Sequence, residues 1–449
     1  MGGGVGGSVL RKLSLLLLLL LLPLHAEANP FDAFGVGTRI IALGGAGTAS
    51  AQDSSANYYN PAALTKIPGL RLDLGYIYIQ PELYMNEGNL GVDRVSGLYT
   101  GVTLPKRILD QSFAVSLSFF LPDDRITRIR SLAQMQPRFV LYDNRPQRVV
   151  ITTSFAWEPW EGLSFGGGLT YLTNTRGTVM LDGDISITDP DDSVLIGGID
   201  VAFESVRYPT FSIHWKINSR WSLGLTYREM FELDLDLTVA ADFDVTSSGS
   251  SSEERLIENG RLALSSLSTN LFSPRQVSAG LEYDAGTWLL TADITWLQWS
   301  AFKAPASIIT MELDTGAAEM ALPETAVIEA PNFSNIVIAR LGLENEILHG
   351  EKIRLLSRVG YFFEPSPAPN QTQNTNYADS HKHGTSIGLG LELLDLRPVL
   401  ESPLELDWVF QTIWIQNRSY NKDSPADLIG DYTISGVILG SSLTLGVQF

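Results

Sequence analysis

The chain of 449 residues carries 31 Lys and Arg against 50 Asp and Glu, a formal net charge of −19, and it contains no cysteine. This acidity argues against a nucleic-acid partner, because phosphate backbones are bound by clustered Lys and Arg. The hydrophobic fraction of 44% resembles that of a soluble protein. It is also what we expect of a barrel whose strands touch lipid on one face only.

The first 28 residues have the pattern of a secretory signal peptide. Arg11 and Lys12 precede a leucine run from Leu15 to Leu22, and Ala26-Glu27-Ala28 supplies the small residues of a cleavage site. The apolar run is short for a membrane anchor. We therefore expect residues 1–28 to be removed and the rest of the chain to be exported.

Residues 29–66 do not follow a strand pattern. The segment is rich in Gly and Ala and ends in Tyr58-Tyr59-Asn60-Pro61-Ala62-Ala63-Leu64. It is too long for a tail and lacks the polar low-complexity character of a disordered arm. We predict that it folds inside a barrel as a plug, where Gly44 and Gly45 allow positive φ and close backbone approach and Asn60-Pro61 supplies a stiff bend.

From Leu70 to Phe449 the chain alternates apolar with small or polar residues in strips of about ten, the pattern of an outer-membrane barrel, and we assign residues 67–449 to that barrel. In Trp221–Arg228 every odd position is large and apolar and every even position is small, polar or charged. Period two indicates strands with two different faces. We predict an all-β protein, a closed antiparallel barrel of fourteen strands near residues 70–80, 93–104, 111–121, 147–158, 162–174, 206–217, 220–232, 275–284, 288–299, 336–347, 352–363, 384–394, 404–416 and 438–449.

The connections between these strips alternate in length. Those after even strands are tight, as at Glu158-Pro159-Trp160-Glu161 and Asn218-Ser219, whereas those after odd strands are long. Bacterial outer-membrane barrels keep short turns in the periplasm and long loops outside. We therefore expect both chain ends to be periplasmic.

A sandwich of two soluble sheets also alternates strands and turns. Against it, one face of a single strand carries Trp288 and Trp296, as aromatic girdles at two membrane interfaces require. The opposite faces carry charge, such as Asp293 and Arg228, which a sandwich core could not bury unpaired.

Two long loops combine apolar and charged residues. Residues 126–141 place Ile129, Leu132 and Met135 among arginines, and this spacing predicts a short amphipathic helix that could capture a ligand. Residues 255–272 are a second apolar loop candidate. Ordinary loop packing explains either segment as well.

Enzyme and metal motifs have no supporting context. Gly162-Leu163-Ser164-Phe165-Gly166 spells a hydrolase nucleophile elbow, but it lies along an alternating strand with no helix after it. His381 and His383 lack a third zinc ligand at suitable spacing. We expect no catalytic residue, no metal and no cofactor.

The run from Gly37 to Gly47, with Asp53 and Tyr58-Tyr59-Asn60-Pro61-Ala62, resembles the N-terminal hatch of FadL-type transporters. These are outer-membrane proteins for long-chain fatty acids and aromatic hydrocarbons. The stretches 274–302 and 360–383 strengthen the match. The resemblance extends over the whole mature chain.

The resemblance implies passive uptake of a hydrophobic molecule, which binds among the extracellular loops, passes to an interior pocket and leaves sideways when the hatch shifts. It points to Gly44, Gly45, Asn60 and Pro61 as hatch or gating residues. Candidate substrate contacts are Arg39, Tyr58, Tyr59, Ile129, Leu132 and Met135.

The expected partners are a hydrophobic small molecule, outer-membrane lipid and lipopolysaccharide, and the barrel-assembly machinery, with the protein a monomer. An outer-membrane lipid-modifying enzyme and a general porin stay as alternatives. The sequence does not separate fatty acids from hydrocarbons.

Overall fold

The structure is a computed structural model, and it describes residues 30–124, 136–139, 141–142, 148–186, 194–249, 252–303, 308–314, 329–372, 375–397, 402–422, 427 and 429–449. The N-terminal segment contains three short α-helices, α1 (Pro30–Phe34), α2 (Thr38–Ala42) and α3 (Ala56–Tyr59), followed by a 3-10 helix, Pro61–Lys66. A second 3-10 helix covers Trp299–Ala301. None of the helices in the described ranges is long and apolar enough to cross a membrane.

Strands make up most of the rest. In chain order they are β1 (Arg71–Met85), β2 (Gly88–Asn89), β3 (Val95–Ile108), β4 (Gln111–Pro122), β5 (Val150–Trp160), β6 (Leu163–Ser186), β7 (Val194–Lys216), β8 (Trp221–Arg228), β9 (Phe231–Gly249), β10 (Ser252–Ser273), β11 (Gln276–Asp284), β12 (Trp288–Leu297), β13 (Ile308–Asp314), β14 (Ile336–His349), β15 (Ile353–Glu364), β16 (Lys382–Leu393), β17 (Leu404–Tyr420) and β18 (Tyr432–Gln448).

Fourteen of these strands form a closed antiparallel ring. Each pairs with its neighbour in the order β1, β3, β4, β5, β6, β7, β8, β11, β12, β14, β15, β16, β17 and β18. β18 then pairs with β1 from Gln448 opposite Arg71 to Ile434 opposite Met85. The ring therefore has no free edge, and the predicted fourteen-stranded barrel is confirmed.

The alternation in the sequence sets the two faces of the wall. In β8 the odd residues Trp221, Leu223 and Leu225 are exposed, while Ser222 and Thr226 are buried inside. Exposed apolar side chains recur around the outside of the ring, with Trp288 at 44% and Trp408 at 39% exposure. This surface suits a lipid environment.

The expectation of a loop at 255–272 is wrong. β10 covers this segment and pairs with β9, and β13 pairs with β10. β9 also runs parallel to the outer part of β6, from Leu237 beside Gly177 to Thr246 beside Ser186. These strands extend the wall beyond the ring. The outer part of β6 offers them a strand edge there, and their alternating sequence can pair with it.

Five turns between consecutive ring strands are tight, those from β3 to β4, β5 to β6, β7 to β8, β11 to β12 and β14 to β15, and all five lie at the end where the chain enters β1 and leaves β18. At the turn between β3 and β4, Leu109 and Asp110 have φ of 50° and 62°, the positive values that a two-residue hairpin requires. The connection between β16 and β17 is longer but lies at this end too, whereas the long connections after β4, β6, β12 and β15 lie at the opposite end.

Candidate functional site

Residues 30–67 fill the lumen, and we call this segment the hatch. Ile40, Ala42, Leu43 and Ala62 in it are fully buried. The hatch interrupts the lumen between the end with the tight turns and the end with the long connections.

The wall makes room for the hatch with inward-facing glycines. A Cβ atom at any of these positions would collide with hatch atoms, such as the backbone of Thr48 at Gly224 or of Ala62 at Gly166. Glycine permits this approach because it has no side chain. The positions lie on seven different strands: Gly101, Gly166, Gly224, Gly280, Gly342, Gly360 and Gly388. Glycines at inward-facing positions of several strands are a sequence signal that could have located the part of the wall that contacts the hatch, which we call the hatch seat.

Polar side chains of the wall satisfy the backbone of the hatch. The amide of Thr48 donates to Asp293 Oδ2 at 2.8 Å, and the amide of Ser54 donates to Asp73 Oδ2 at 2.9 Å. The hydroxyl of Thr291 donates to the carbonyl of Ala46 at 2.9 Å. Since buried backbone groups need partners, these bonds fix an irregular segment inside the barrel.

Gly44 and Gly45 form the turn that ends α2. Their φ values are 69° and 80°, a region where other residues are strained. A Cβ on Gly44 would lie 2.7 Å from the amide nitrogen of Tyr361. Gly44 therefore lies directly against the backbone of β14 and β15.

Asn60 and Pro61 attach the hatch to the opposite part of the wall. The Asn60 side chain accepts from the amide of Ala62 at 3.0 Å and so caps the 3-10 helix that Pro61 begins. Its Nδ2 donates to the carbonyl of Thr48 at 2.7 Å and to that of Ile213, on β7, at 3.0 Å. One buried side chain thus joins two parts of the hatch and the wall.

Arg39 is held in an ion pair across the lumen. Its guanidinium binds both oxygens of Glu344, on β14, at 2.9 and 3.0 Å and donates to the carbonyl of Ser50 at 2.8 Å. Glu344 also accepts from Arg358 Nε at 2.6 Å, and Arg358 pairs with Asp407. This chain of charges links α2 to β14, β15 and β17.

Tyr58 and Tyr59 lie beside a second ion pair, at the other side of the hatch. Arg228, on β8, pairs with Asp32 of α1 at 3.1 Å, and its guanidinium lies 3.9 Å from the centre of the Tyr58 ring. The Tyr58 hydroxyl donates to Asp32 Oδ1. Burial raises the pKa of Tyr59 to about 12, because the charged form loses hydration.

The end with the tight turns holds a charged cavity of about 360 Å³ below the hatch. Burial lowers the pKa of Lys66, which faces this cavity 3.6 Å from Glu282. The other charged lining residues are Arg39, Asp53, Arg71, Asp284, Glu344, Glu346, Arg354, Arg358, Glu392, Glu405 and Asp407.

The opposite end holds a cluster of buried and partly buried aromatic rings, which come from β10 and from the connections that follow β12 and β15. Phe302 and Phe333 lie 4.6 Å apart between ring centres, and Tyr377 packs against both. Phe272 and Trp299 complete this aromatic cluster. Sequence reasoning missed it, because its members lie far apart in the chain.

A small cavity of about 60 Å³ lies between the hatch and the wall. Gly44, Gly45, Tyr58 and Tyr59 contribute to it from the hatch. Ile129, Leu132 and Met135 lie outside the described residues, so the predicted amphipathic helix stays a prediction. In the described part of the chain, no group of three or more His, Asp or Glu side chains is placed to hold a metal ion.

Comparison of the sequence with known proteins identifies a protein family and a relative. Residues 26–447 match the family model described as outer membrane protein transport protein (OMPP1/FadL/TodX). Alkane uptake protein A of Marinobacter nauticus is 24% identical over 406 residues, covering 84% of this chain and 81% of that protein.

Solved structures show the same fold. A FadL homologue of Pseudomonas aeruginosa superposes with a TM-score of 0.57 at 15% identity, covering 95% of this chain and 99% of the other. The toluene transporter TodX of P. putida gives a TM-score of 0.51 at 16% identity, covering 93% and 99%. With its hatch, its closed ring of fourteen strands and the family match over nearly its whole length, the chain belongs to the OMPP1/FadL/TodX family of outer-membrane transport proteins.

Proposed function

We propose that this protein is a monomeric channel for passive inward movement of hydrophobic small molecules across the outer membrane, with no cofactor and no catalytic step. The observation that carries the proposal is the hatch, which occupies the lumen on a seat of seven wall glycines. A general porin needs an open aqueous lumen. A lipid-modifying enzyme needs a nucleophile and base, yet Ser164 is hydrogen-bonded to Thr65 of the hatch at 2.7 Å.

The tight turns and both chain ends face the periplasm in this proposal, as the rule for bacterial barrels requires. The aromatic cluster then lies on the extracellular side. An apolar molecule can pack among rings that come from β10 and two separate connections, because the hydrophobic effect is non-directional. Two relatives are named for alkane uptake and toluene transport, and this chemistry suits such a cluster.

Release into the bilayer through the wall is the route that the energetics favour. The periplasmic cavity is lined by charged side chains, and a hydrophobic solute that entered water there would lose roughly 0.8 kcal/mol for each CH₂ exposed. Lateral release avoids that cost. This can be tested in proteoliposomes with a fluorescent substrate, one quencher in the bilayer and a second quencher in the water inside the vesicle. The bilayer quencher should reduce the fluorescence first, and the reverse order would contradict lateral release.

Uptake by cells tests the function itself. A deletion strain should take up long-chain fatty acids or hydrocarbons more slowly than the same strain carrying the intact gene. Equal uptake over a panel of such compounds would refute the proposal.

Conductance tests the role of the hatch. Without residues 29–66 the barrel should still fold as a heat-modifiable monomer, and it should conduct ions in planar bilayers while intact protein is nearly closed. Equal conductance of the two proteins would remove the hatch as the barrier and favour a porin.

A further inference from the structure

We propose that an apolar groove on the outer face of the wall binds one acyl chain of an anionic phospholipid, whose phosphate is bound by Arg220. The groove crosses the lipid side of β8, β11, β12, β14 and β15, on the opposite face of the wall from the hatch. The inference concerns a membrane lipid and does not depend on the transported substrate. Only the leaflet of that lipid follows from the orientation proposed above.

The groove forms because one small residue lies among large ones on the lipid face. Ala292 of β12 is directly opposite Leu281 of β11 on one side and Leu341 of β14 on the other. Both leucines are exposed, so they form two ridges with Ala292 between them. The volume of about 490 Å³ falls within the roughly 300–1,000 Å³ of ligand pockets. The other large lining side chains are apolar or aromatic, namely Trp221, Tyr283, Leu290, Leu343, Val359 and Tyr361.

The groove extends through one leaflet of the membrane. Trp221 and Tyr283 lie at one end, beside the turns into β8 and out of β11, with their ring centres 4.4 Å apart. Such rings are typical of the membrane interface. Ala292 lies midway between Trp288 and Trp296 on β12, the tryptophans that bracket the apolar band. The groove therefore runs from the periplasmic interface to the middle of the hydrocarbon layer, where an inner-leaflet phospholipid places its acyl chain.

The floor of the groove is strand backbone, because two strands carry glycine there. Gly342 and Gly360 line the groove from the lipid side. On the lumen side, a Cβ on Gly342 would lie 2.6 Å from the carbonyl oxygen of Leu43, and a Cβ on Gly360 would collide with the backbone of Gly44. At these two positions the wall is one backbone thick. An empty groove would cost the lining atoms their dispersion contacts on one side, and in a bilayer an acyl chain is the group that restores them.

Arg220 supplies a positive charge at the interface end of the groove. It is exposed in the turn between β7 and β8 and directly precedes Trp221. Among the described residues Arg220 has no ion-pair partner. Asp284 lies in the adjoining turn, where its amide donates to the carbonyl of Arg220 at 2.8 Å, but its side chain accepts from Gly286 and lines the lumen cavity.

The guanidinium of Arg220 therefore suits a lipid phosphate, which it can bind through two parallel hydrogen bonds. In a zwitterionic lipid the ammonium group competes for the same phosphate. We therefore expect a preference for an anionic headgroup.

Native mass spectrometry tests the inference, with purified protein released from micelles that contain graded amounts of dioleoyl phosphatidylglycerol or dioleoyl phosphatidylethanolamine. Wild-type protein should retain one phosphatidylglycerol and bind it about fivefold more tightly than phosphatidylethanolamine, the effect expected of one cation at an anionic lipid surface. Ala292→Leu should remove the retained lipid of either kind, because the new side chain fills the groove. Arg220→Gln should keep a bound lipid but lose the preference.

Ala279→Leu and Lys106→Gln are the matched controls. Ala279 is exposed on the lipid face of β11 outside the groove lining, and Lys106 is an exposed cation on β3 at the same end of the barrel. Both variants should bind lipid like wild type, and every protein must show the heat-modifiable band of a folded barrel.

Three results would overturn the inference. The first is wild-type protein that retains no lipid, or folded Ala292→Leu that retains as much as wild type. The second is equal binding of the two lipids by wild type, or an unchanged preference in Arg220→Gln. The third is a dimer in place of the lipid-bound monomer that Ala292→Leu dissociates, which would assign the groove to a second copy of the chain.

Discussion

Gly166 and Gly167 are neighbours on β6, but only Gly166 contacts the hatch. Gly166 faces the lumen against Pro61 and Ala62, whereas a Cβ on Gly167 would meet only the carbonyl of Thr210, at 3.9 Å. We predict that Gly166→Val displaces the hatch and raises ion conductance in planar bilayers, because the new side chain collides with hatch backbone. Gly167→Val is the matched control and should stay closed. A closed channel in folded Gly166→Val would show that the hatch tolerates the added volume.

Asn60 and Pro61 offer a second test at the residue scale. Asn60 joins Thr48 and Ile213 through one amide group, and Pro61 fixes φ at the start of the 3-10 helix. We predict that Asn60→Ala with Pro61→Ala reduces uptake of a hydrophobic substrate while barrel folding and ligand binding persist. Uptake must be compared at equal amounts of folded protein, with binding measured on purified material. If uptake falls only in proportion to lost protein, the pair is structural and does not gate.

At the scale of elements, α2 is held to the wall by the Arg39 and Glu344 ion pair. Without Arg39 the wall keeps its own ion pair, since Glu344 still accepts from Arg358 Nε at 2.6 Å, and only the link from the hatch to the wall is lost. We predict that Arg39→Gln raises the ion conductance of planar bilayers that contain equal amounts of folded protein, without lowering the yield of folded barrel. Arg397→Gln is the control, since Arg397 pairs with Asp395 at 3.0 Å but is 71% exposed. Equal conductance of the two variants would mean that the ion pair does not hold the hatch.

Sequence alternation predicted the barrel strands because each wall residue faces either lipid or lumen, and that choice is local. The prediction of a loop at 255–272 was wrong. The segment belongs to a hairpin outside the ring, and the fourteen ring strands already account for a closed barrel without it. The contacts of the hatch could not be predicted in this way. Arg39 and Glu344 are 305 residues apart, and their pairing depends on how the whole ring is closed.

The same limit explains the site. Tyr58, Tyr59, Asn60 and Pro61 stood out as a local motif, and the structure places them at contacts between hatch and wall. The aromatic cluster did not stand out, because Phe272, Phe302 and Tyr377 lie far apart in the chain. Their packing becomes visible only when the ring of strands is closed.

For the whole molecule, closure depends on the last strand. β18 pairs with β1 along 15 residue pairs, and the amide of Phe449 donates to the carbonyl of Leu70 at 2.7 Å. The Phe449 side chain faces outward and is 57% exposed, so it adds little to packing within the folded barrel. We infer that its role is in assembly, where the barrel-assembly machinery reads the outward apolar residues of β18.

Deleting Phe449 should therefore lower the amount of folded protein in the outer membrane more than it lowers the stability of barrels that have formed. Heat-modifiable protein in membrane fractions measures the first quantity, and the temperature of the mobility shift measures the second. Phe449→Trp should assemble normally, because it keeps an aromatic residue at the strand end. Leu109→Ala removes an apolar side chain that is 93% exposed in the turn between β3 and β4, and it should also assemble normally. Normal levels of heat-modifiable protein after deletion of Phe449 would refute the assembly role, since the seam with β1 would then close without the terminal aromatic.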